Sequence, residues 1–173
     1  MELKTIDIKG KEYVLVNERI KAFWKLYPNG RIVTDILSME NDMCVIRAKV
    51  FTDREDNIPV ATGTAYERES SSFINKTSYI ENCETSAIGR ALGILGIGID
   101  TSVASAEEVE NAIENQKKID NTKIQALEKS LENKNIANDK IVEVLNKFGY
   151  KSISDILVTD YKKVCDEFIK EIK

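Results

Sequence analysis

Glycines inside a predicted helix constrain the fold of this chain more than any other feature. From Ser70 to Gly98, a hydroxyl-rich run passes into a segment whose apolar residues recur at helical spacing. Gly89, Gly93 and Gly96 lie in this segment. A glycine in a helix interior costs about 1 kcal/mol relative to alanine, so several in succession need a physical reason. We infer close approach of another backbone, from a β-sheet or a neighbouring subunit.

Three strand-like runs precede this helix, at residues 31–39, 43–52 and 58–68. Alternation in the second and third runs gives each strand one face of small or apolar residues and one polar face. The two small-residue faces coincide, and we expect the helix to cover them. The expected close-packing residues are Gly63, Gly89, Gly93 and Gly96. The predicted fold class is α+β, with an antiparallel sheet of three to five strands packed on a central glycine-rich helix.

The remaining segments complete two predicted domains. The N-terminal segment predicts a short strand or a hairpin, and Asn17 is the predicted N-cap of the helix that follows. Ser105 and Glu108 have the spacing of a capping box, which predicts another helix start. We therefore expect an α+β domain at residues 1–118 and a small all-α module at residues 119–173.

The composition argues against several classes of protein. The 173 residues include no histidine, so a Ser-His or Cys-His nucleophile pair cannot form. The three cysteines are widely spaced without a CxxC, which predicts neither a disulfide framework nor a zinc site. The longest apolar run, Ala91 to Ile99, is too short for a membrane span of about 20 residues. With no secretory signal, we expect a cytoplasmic protein that is not an enzyme and has no cofactor, metal or membrane partner.

The charge of the chain limits how it could bind nucleic acid. The net charge is −4, and it is divided evenly. Residues 1–105 hold 13 Lys and Arg against 15 Asp and Glu, and residues 106–173 hold 12 against 14. Proteins that bind nucleic acid through bulk charge are usually basic. A nucleic-acid site in this chain must therefore be a local patch.

Such a patch is predicted on the polar sheet face and in the run that follows it. Single-strand binders combine a cationic groove with aromatic side chains that stack on bases, and with hydroxyls or amides that contact phosphates. The face and the run supply each of these groups: Arg47, Lys49, Tyr66, Arg68, Ser72, Phe73, Asn75 and Lys76. The same residues would also suit the solvated side of an ordinary sheet.

Two groups of charged residues have alternative interpretations. Arg90, the cation among the helix glycines, could form an internal ion pair with Glu81 or Glu84. Together with Asp100, those two glutamates could instead form the carboxylate cluster of a metal-dependent nuclease. Acids near a helix start also interact favourably with the helix dipole, which is the simpler explanation for them.

Residues 62–112 resemble a known family. The stretches GTAYERE (63–69), SYIENCETSAIGRALG (78–93) and SAEEV (105–109) are similar to phage and prophage single-strand annealing proteins of the Erf/Sak type. That family is related in fold to the eukaryotic Rad-type annealing mediators. ETSAIGRAL is the most specific part, and the similarity covers roughly residues 10–115.

This resemblance implies a function and partners. The implied protein is non-catalytic, binds single-stranded DNA, assembles into rings or filaments, and promotes strand annealing in phage recombination or replication inside a bacterial host. The resemblance adds Thr77 and Arg90 to the candidate DNA-binding residues. Residues 122–173 would recruit a replication or recombination protein. The alternative is a protein-interaction module without annealing activity, such as a phage inhibitor of a host enzyme.

Overall fold

The structure, a computed structural model, describes residues 3–72, 74–100 and 102–170. It divides into two units, Met1–Ile113 and Glu114–Lys173, which we call unit 1 and unit 2. The boundary between them precedes the predicted one, which followed residue 118. No helix in the described part of the chain is long and apolar enough to cross a membrane.

Unit 1 begins with a hairpin of β1 (Thr5–Ile8) and β2 (Lys11–Val14), which pair antiparallel. The two turn residues, Lys9 and Gly10, have φ values of 55° and 82°. Two-residue hairpin turns favour positive φ at both positions because this geometry matches the twist of the strands. Glycine adopts such a value without strain, which explains its place in the turn.

Helix α1 (Val16–Leu26) follows the hairpin directly. The prediction that Asn17 caps it is wrong, because the helix starts earlier and its N-cap, Leu15, makes no side-chain cap. The carboxylate of Glu107 caps the helix instead, since both of its oxygens accept from the Val16 N–H, at 3.0 and 3.1 Å. A carboxylate at a helix N-terminus satisfies a free donor and opposes the helix dipole.

The sheet of unit 1 consists of β3 (Arg31–Glu40), β4 (Met43–Phe51) and β5 (Ala61–Arg68), antiparallel and in that order. The register places Ala48 opposite Gly63 and Val50 opposite Ala61. The small and apolar residues of both strands therefore share one face, as the alternation predicted. The predicted antiparallel sheet and mixed α+β class are confirmed.

Helix α2 (Asn75–Ile94) packs against that small-residue face. Gly63 allows the close approach, because a β-carbon there would lie 2.4 Å from the Ala91 nitrogen and 2.6 Å from the Ala87 carbonyl oxygen. Helix α2 is irregular at Ser78, whose φ of −141° is not helical. The core beneath it is formed by buried side chains from α1, β4, β5 and α2, among them Phe23, Cys44, Ile46, Ala48, Val50, Cys83, Ala87, Ala91 and Leu92.

The helix glycines face other neighbours. A β-carbon at Gly89 would lie 2.5 Å from a Val16 methyl, and one at Gly93 would lie 2.6 Å from Nη1 of Arg19. These two positions therefore admit side chains of α1, rather than a sheet or a neighbouring subunit. Gly96 was predicted as a close-packing residue, but it has open space around it and a φ of +100°. Its role is to end the helix in a left-handed conformation.

Helix α3 (Ala106–Asn115) begins with the predicted capping box. The Ser105 N–H donates to Glu108 Oε2 at 2.9 Å, and the Glu108 N–H donates to Ser105 Oγ at 3.2 Å. This reciprocal pair satisfies two donors that the first turn leaves free.

Unit 2 contains α4 (Asn121–Asn133), α5 (Asn138–Lys147) and α6 (Tyr161–Lys170). An antiparallel bridge between Lys118 and Leu157 joins the segments that precede α4 and α6. The hydrophobic core of unit 2 is formed by Ile119, Leu127, Leu131, Val144, Leu145, Ile156, Val164 and Phe168.

Candidate nucleic-acid interface

The face of the sheet opposite α2 presents polar side chains from all three strands. We call it the open face. The register defines its members, because residues directly opposite each other in an antiparallel pair lie on the same side. They are Arg31, Val33, Asp35, Ser38 and Glu40 on β3, Met43, Val45, Arg47, Lys49 and Phe51 on β4, and Thr62, Thr64, Tyr66 and Arg68 on β5.

The structure thus brings together the four sheet residues that the sequence singled out. Arg47 lies opposite Thr64, and Lys49 lies opposite Thr62. Four residues further along β5 from Thr64, Arg68 lies opposite Met43. At about 3.3 Å per residue, the Arg47 and Arg68 positions are about 13 Å apart along the strands.

The cations of the open face differ in how they are partnered. Lys49 forms an ion pair with Asp35 at 2.6 Å. Arg31 lies 4.2 Å from the centre of the Phe51 ring and donates to a backbone carbonyl. Arg47 and Arg68 are exposed and have no ion-pair partner among the residues that the structure describes. These two guanidinium groups are therefore available to an anionic ligand.

A shallow depression of about 390 Å³ lies beside Arg68 on the open face. Tyr66 forms one side of it and is 62% exposed, which is high for an aromatic side chain in a sheet. The other lining residues are Met43, Val45, Thr64 and Ala65. An exposed ring, a hydroxyl and a free guanidinium thus lie within one small area.

The segment that follows β5 does not continue this surface as predicted. Asn75 is only 2% exposed, and its backbone N–H donates to Ser72 Oγ at 3.0 Å. Asn75 therefore cannot contact a phosphate, which corrects its assignment as a binding residue. Lys76 and Thr77 are exposed, but they belong to the first turn of α2, which packs on the other side of the sheet. Phe73 lies outside the described residues.

Asn75 instead belongs to a buried polar cluster around Glu67. Glu67 is 4% exposed on the α2 side of β5, and its two carboxylate oxygens accept from the Asn75 and Asn111 amides, each at 2.8 Å. The Asn75 amide also donates to Ser71 Oγ at 2.6 Å, and its oxygen accepts from Asn82 at 2.6 Å. The cluster links β5, α2 and α3 through hydrogen bonds alone. We call it the Glu67 cluster.

Burial raises the pKa of Glu67, and the hydrogen bonds from Asn75 and Asn111 only partly oppose this shift. The folded state therefore holds the proton more tightly than the unfolded state does. The contribution of Glu67 to the free energy of unfolding is therefore fully present below its ordinary pKa of 4.5. It is lost as the pH rises through the raised pKa of the folded state.

The variant Glu67→Gln should reveal this linkage, because an amide does not titrate. We expect the free energy of unfolding of the wild-type protein, relative to that of Glu67→Gln, to decrease as the pH rises above 4.5 and through the raised pKa. Urea unfolding followed through Trp24, the single tryptophan, measures the difference at each pH. A difference that stays constant or increases would contradict the assignment.

Arg90 is held by α3 and not by its own helix. It is half-exposed and forms an ion pair with Glu108 at 3.1 Å, so the predicted pairing with Glu81 or Glu84 is wrong. The partner lies 18 residues further along the chain, beyond the reach of helical spacing rules. Because Arg90 is on α2, it is not part of the open face.

Arg19, which was not among the predicted functional residues, is completely buried in unit 1. Its guanidinium donates to the carbonyl oxygens of Gly89 and Val103, both at 2.7 Å. Three more carbonyl oxygens accept from it at 3.0 to 3.4 Å, those of Gly98, Ser102 and Ala104. Burial lowers the pKa of Arg19. Its spacing of four residues from Phe23 in α1 was a signal that it faces the core.

The predicted alternative of a carboxylate cluster is not formed. Among the described residues, no group of three or more Cys, Asp or Glu side chains is placed to hold a metal ion. Glu84 accepts from the Thr34 hydroxyl at 2.6 Å, which ties it to β3.

A comparison with known protein families gives a match to part of unit 1. Residues 20–95 match the family model described as Slr1353 N-terminal dsRNA-binding domain-like. The matched range extends from α1 through the three-stranded sheet to the end of α2. No curated protein and no solved structure matches the chain at a significant level.

This match overturns the resemblance to annealing proteins. The matched family is not of the Erf/Sak type, and its range covers most of the motifs on which the resemblance depended. The Erf/Sak assignment is therefore wrong. The annealing activity, the ring or filament assembly and the phage origin that it implied have no support from the comparisons.

Proposed function

We propose that unit 1 binds nucleic acid without catalysis, that double-stranded RNA is its ligand, and that the open face is the contact surface. The observation that carries the proposal is that Arg47 and Arg68 are exposed on one sheet face and have no ion-pair partner among the residues that the structure describes. The name of the matched family supports duplex RNA as the class of ligand. Absence of catalysis is proposed because the chain contains no histidine.

The distribution of charge supports the open face over other surfaces. Residues 1–113 hold 13 Lys and Arg against 18 Asp and Glu, so unit 1 as a whole would repel a polyanion. The open face differs, with four cations against two acids: Arg31, Arg47, Lys49 and Arg68 against Asp35 and Glu40. A local excess of positive charge can direct a polyanion to one side of an acidic domain.

The surface of α2 is less suitable for the same ligand. Its exposed side carries Glu81 and Glu84, and the guanidinium of Arg90 is engaged by Glu108. Lys76 is an exposed cation at its N-terminal end. We therefore propose that RNA contacts the sheet, with Lys76 at most at the edge of the contact.

The shape of the open face suits duplex RNA. An RNA helix presents a wide, shallow minor groove with 2′-hydroxyls and phosphates, and proteins recognise it mainly through those groups. An open sheet face with two arginines at positions about 13 Å apart along the strands can contact phosphates, and Thr62, Thr64 and Tyr66 can contact hydroxyls. None of these contacts reads a base, so binding should depend little on sequence.

The test is a salt titration of binding with a labelled RNA duplex of about 20 base pairs, long enough for a domain of this type. Wild-type affinity should fall steeply with salt. Arg47→Ala and Arg68→Ala should each lower the affinity about tenfold, since a hydrogen bond to a charged group is worth about 1.5 to 3 kcal/mol. The salt slope is the steepness with which the logarithm of the affinity falls with the logarithm of the salt concentration. Each variant should also reduce this slope by about one.

The matched control is a lysine of unit 1 that lies away from the open face. Lys25 on α1 is exposed, and its replacement by alanine should leave both the affinity and the slope close to the wild-type values. Absence of binding, or binding that salt does not affect, would contradict the proposal and favour the protein-interaction alternative. A clear preference for single-stranded oligonucleotides would contradict duplex RNA as the ligand.

A further inference from the structure

The Glu67 cluster lies directly behind the arginine that the proposed function most needs. Arg68 follows Glu67 in β5, so the two side chains point to opposite sides of the sheet. We propose that Asn75 and Ser71, held by Glu67, are positioning residues that set the orientation of Arg68 for nucleic-acid binding. This proposal rests on the proposed function of the open face.

Three side-chain hydrogen bonds hold Asn75 firmly in place. Its amide nitrogen donates both to Glu67 Oε2 at 2.8 Å and to Ser71 Oγ at 2.6 Å, and its amide oxygen accepts from Asn82. A rotation of the amide group would replace two donors by an acceptor and lose these bonds. Buried polar groups that are fully paired in this way rigidify their surroundings.

Through Ser71, the hydrogen bonds of Asn75 are connected to the backbone of Arg68. Ser71 is 3% exposed, and its hydroxyl donates to the Arg68 carbonyl oxygen at 2.7 Å. The next residue, Glu69, donates its N–H to the Asp42 carbonyl at 2.9 Å. Arg68 is the last residue of β5, where strand pairing alone would leave the chain free to fray. The cluster, through Ser71, and the Glu69–Asp42 bond together hold the chain at that end.

Glu67 is a buried carboxyl group that is held by hydrogen bonds. Both oxygens of Glu67 are occupied by amide donors from Asn75 and Asn111. No cation neutralises Glu67 among the described residues. A buried carboxyl group without a counter-ion is tolerated only when its oxygens are hydrogen-bonded, as they are here. Its bonds lead to the segment that carries Arg68.

The experiment compares variants that remove no cation. Asn75→Ala should lower the affinity for the RNA duplex about as much as Arg68→Ala does, and should reduce the salt slope by about one. The double variant Arg68→Ala with Asn75→Ala should bind within about twofold of Arg68→Ala alone, because both changes remove the same contact. Ser71→Ala, which leaves the Glu67–Asn75 bond intact, should act in the same direction.

Two controls separate positioning from stability. Asn111→Ala removes the other partner of Glu67 but keeps the path to Arg68, so its effect on the slope should be small. Val50→Ala destabilises the same sheet from the core, and at a temperature where it remains folded its slope should equal that of the wild type. Additive losses in the double variant, or an unchanged slope in Asn75→Ala, would overturn the proposal.

Hydrogen exchange gives a readout that needs no nucleic acid. In Asn75→Ala, the amides of residues 68–72 and 74–76 should exchange several-fold faster, while those of β4 keep their wild-type rates. Unchanged exchange in this segment would overturn the positioning role even if RNA binds. Failure of the wild-type protein to bind RNA would instead overturn the proposed function, and exchange would then decide alone whether the cluster orders the segment.

Discussion

The variant Gly63→Ala is expected to lower the free energy of unfolding of unit 1 by about 3 kcal/mol or more. The added methyl would lie 2.4 Å from the Ala91 nitrogen and 2.6 Å from the Ala87 carbonyl oxygen. Both are backbone atoms of α2, so no side chain can rotate away and the helix must move as a body. Overpacking of a core typically costs about 1 to 3 kcal/mol, and a backbone collision belongs at the upper end of that range.

Urea unfolding of the full chain, followed through Trp24 fluorescence, measures this effect within unit 1 because the chain has no other tryptophan. Thr62→Ala is the matched control, since it changes the neighbouring residue of the same strand on the open face. Its cost should stay below about 1 kcal/mol. Equal midpoints for Gly63→Ala and the control would contradict the packing of α2 on the sheet.

The second large effect is expected from Arg19→Met, which should destabilise unit 1 by about 3 to 5 kcal/mol. Methionine keeps an unbranched apolar side chain but removes every donor, so five carbonyl oxygens lose their partner. Each buried acceptor left unpaired carries a desolvation penalty of about 1 to 3 kcal/mol, reduced wherever water can enter. The affected carbonyls lie at Gly89 in α2 and in the loop before α3, so both should lose order.

Lys21→Met is the control for Arg19→Met. Lys21 is an exposed cation of the same helix, and its ion pair with Glu18 lies at the surface, where such pairs contribute less than about 1 kcal/mol. Arg19→Lys should fall between the two, because an ammonium group has fewer donors and cannot reach five carbonyls. An Arg19→Met protein as stable as the control would show that the guanidinium does not hold this loop.

Local sequence patterns predicted those features of unit 1 that depend on a regular spacing along one strand, or on residues only a few positions apart. Alternation in β4 and β5 predicted that Ala48 and Gly63 share a face, because strand periodicity is the same wherever the strand lies. The Ser105 and Glu108 capping box was likewise predictable, since its two partners are three residues apart.

The remaining contacts could not be predicted because their partners are distant along the chain. Val16 is capped by a glutamate 91 residues away, and Arg19 reaches carbonyls that lie 70 to 85 residues away. Asn75 was assigned to a binding surface from its polar character, but burial against Glu67 gives it a different role. A polar side chain in a sequence does not reveal whether its partner is solvent, a ligand or another buried group.

The family assignment failed for a related reason. Motifs such as ETSAIGRAL combine packing residues, including Gly89 and Ala91, with charged ones that form internal bonds. Arg90 in this motif pairs with Glu108 rather than facing a ligand. A similarity built on such residues describes how a helix packs, and it says less about what the domain binds.

The most direct test of the open face as the binding surface is to observe all arginine side chains at once. The chain has six arginines, and their Nε–Hε groups give separate signals in a ¹⁵N-correlated NMR spectrum of the full chain. On addition of duplex RNA, we predict that the signals of Arg47 and Arg68 shift, whereas those of the buried Arg19 and the paired Arg90 do not. Shifts confined to Arg90, or no arginine shift when RNA binds, would contradict the account.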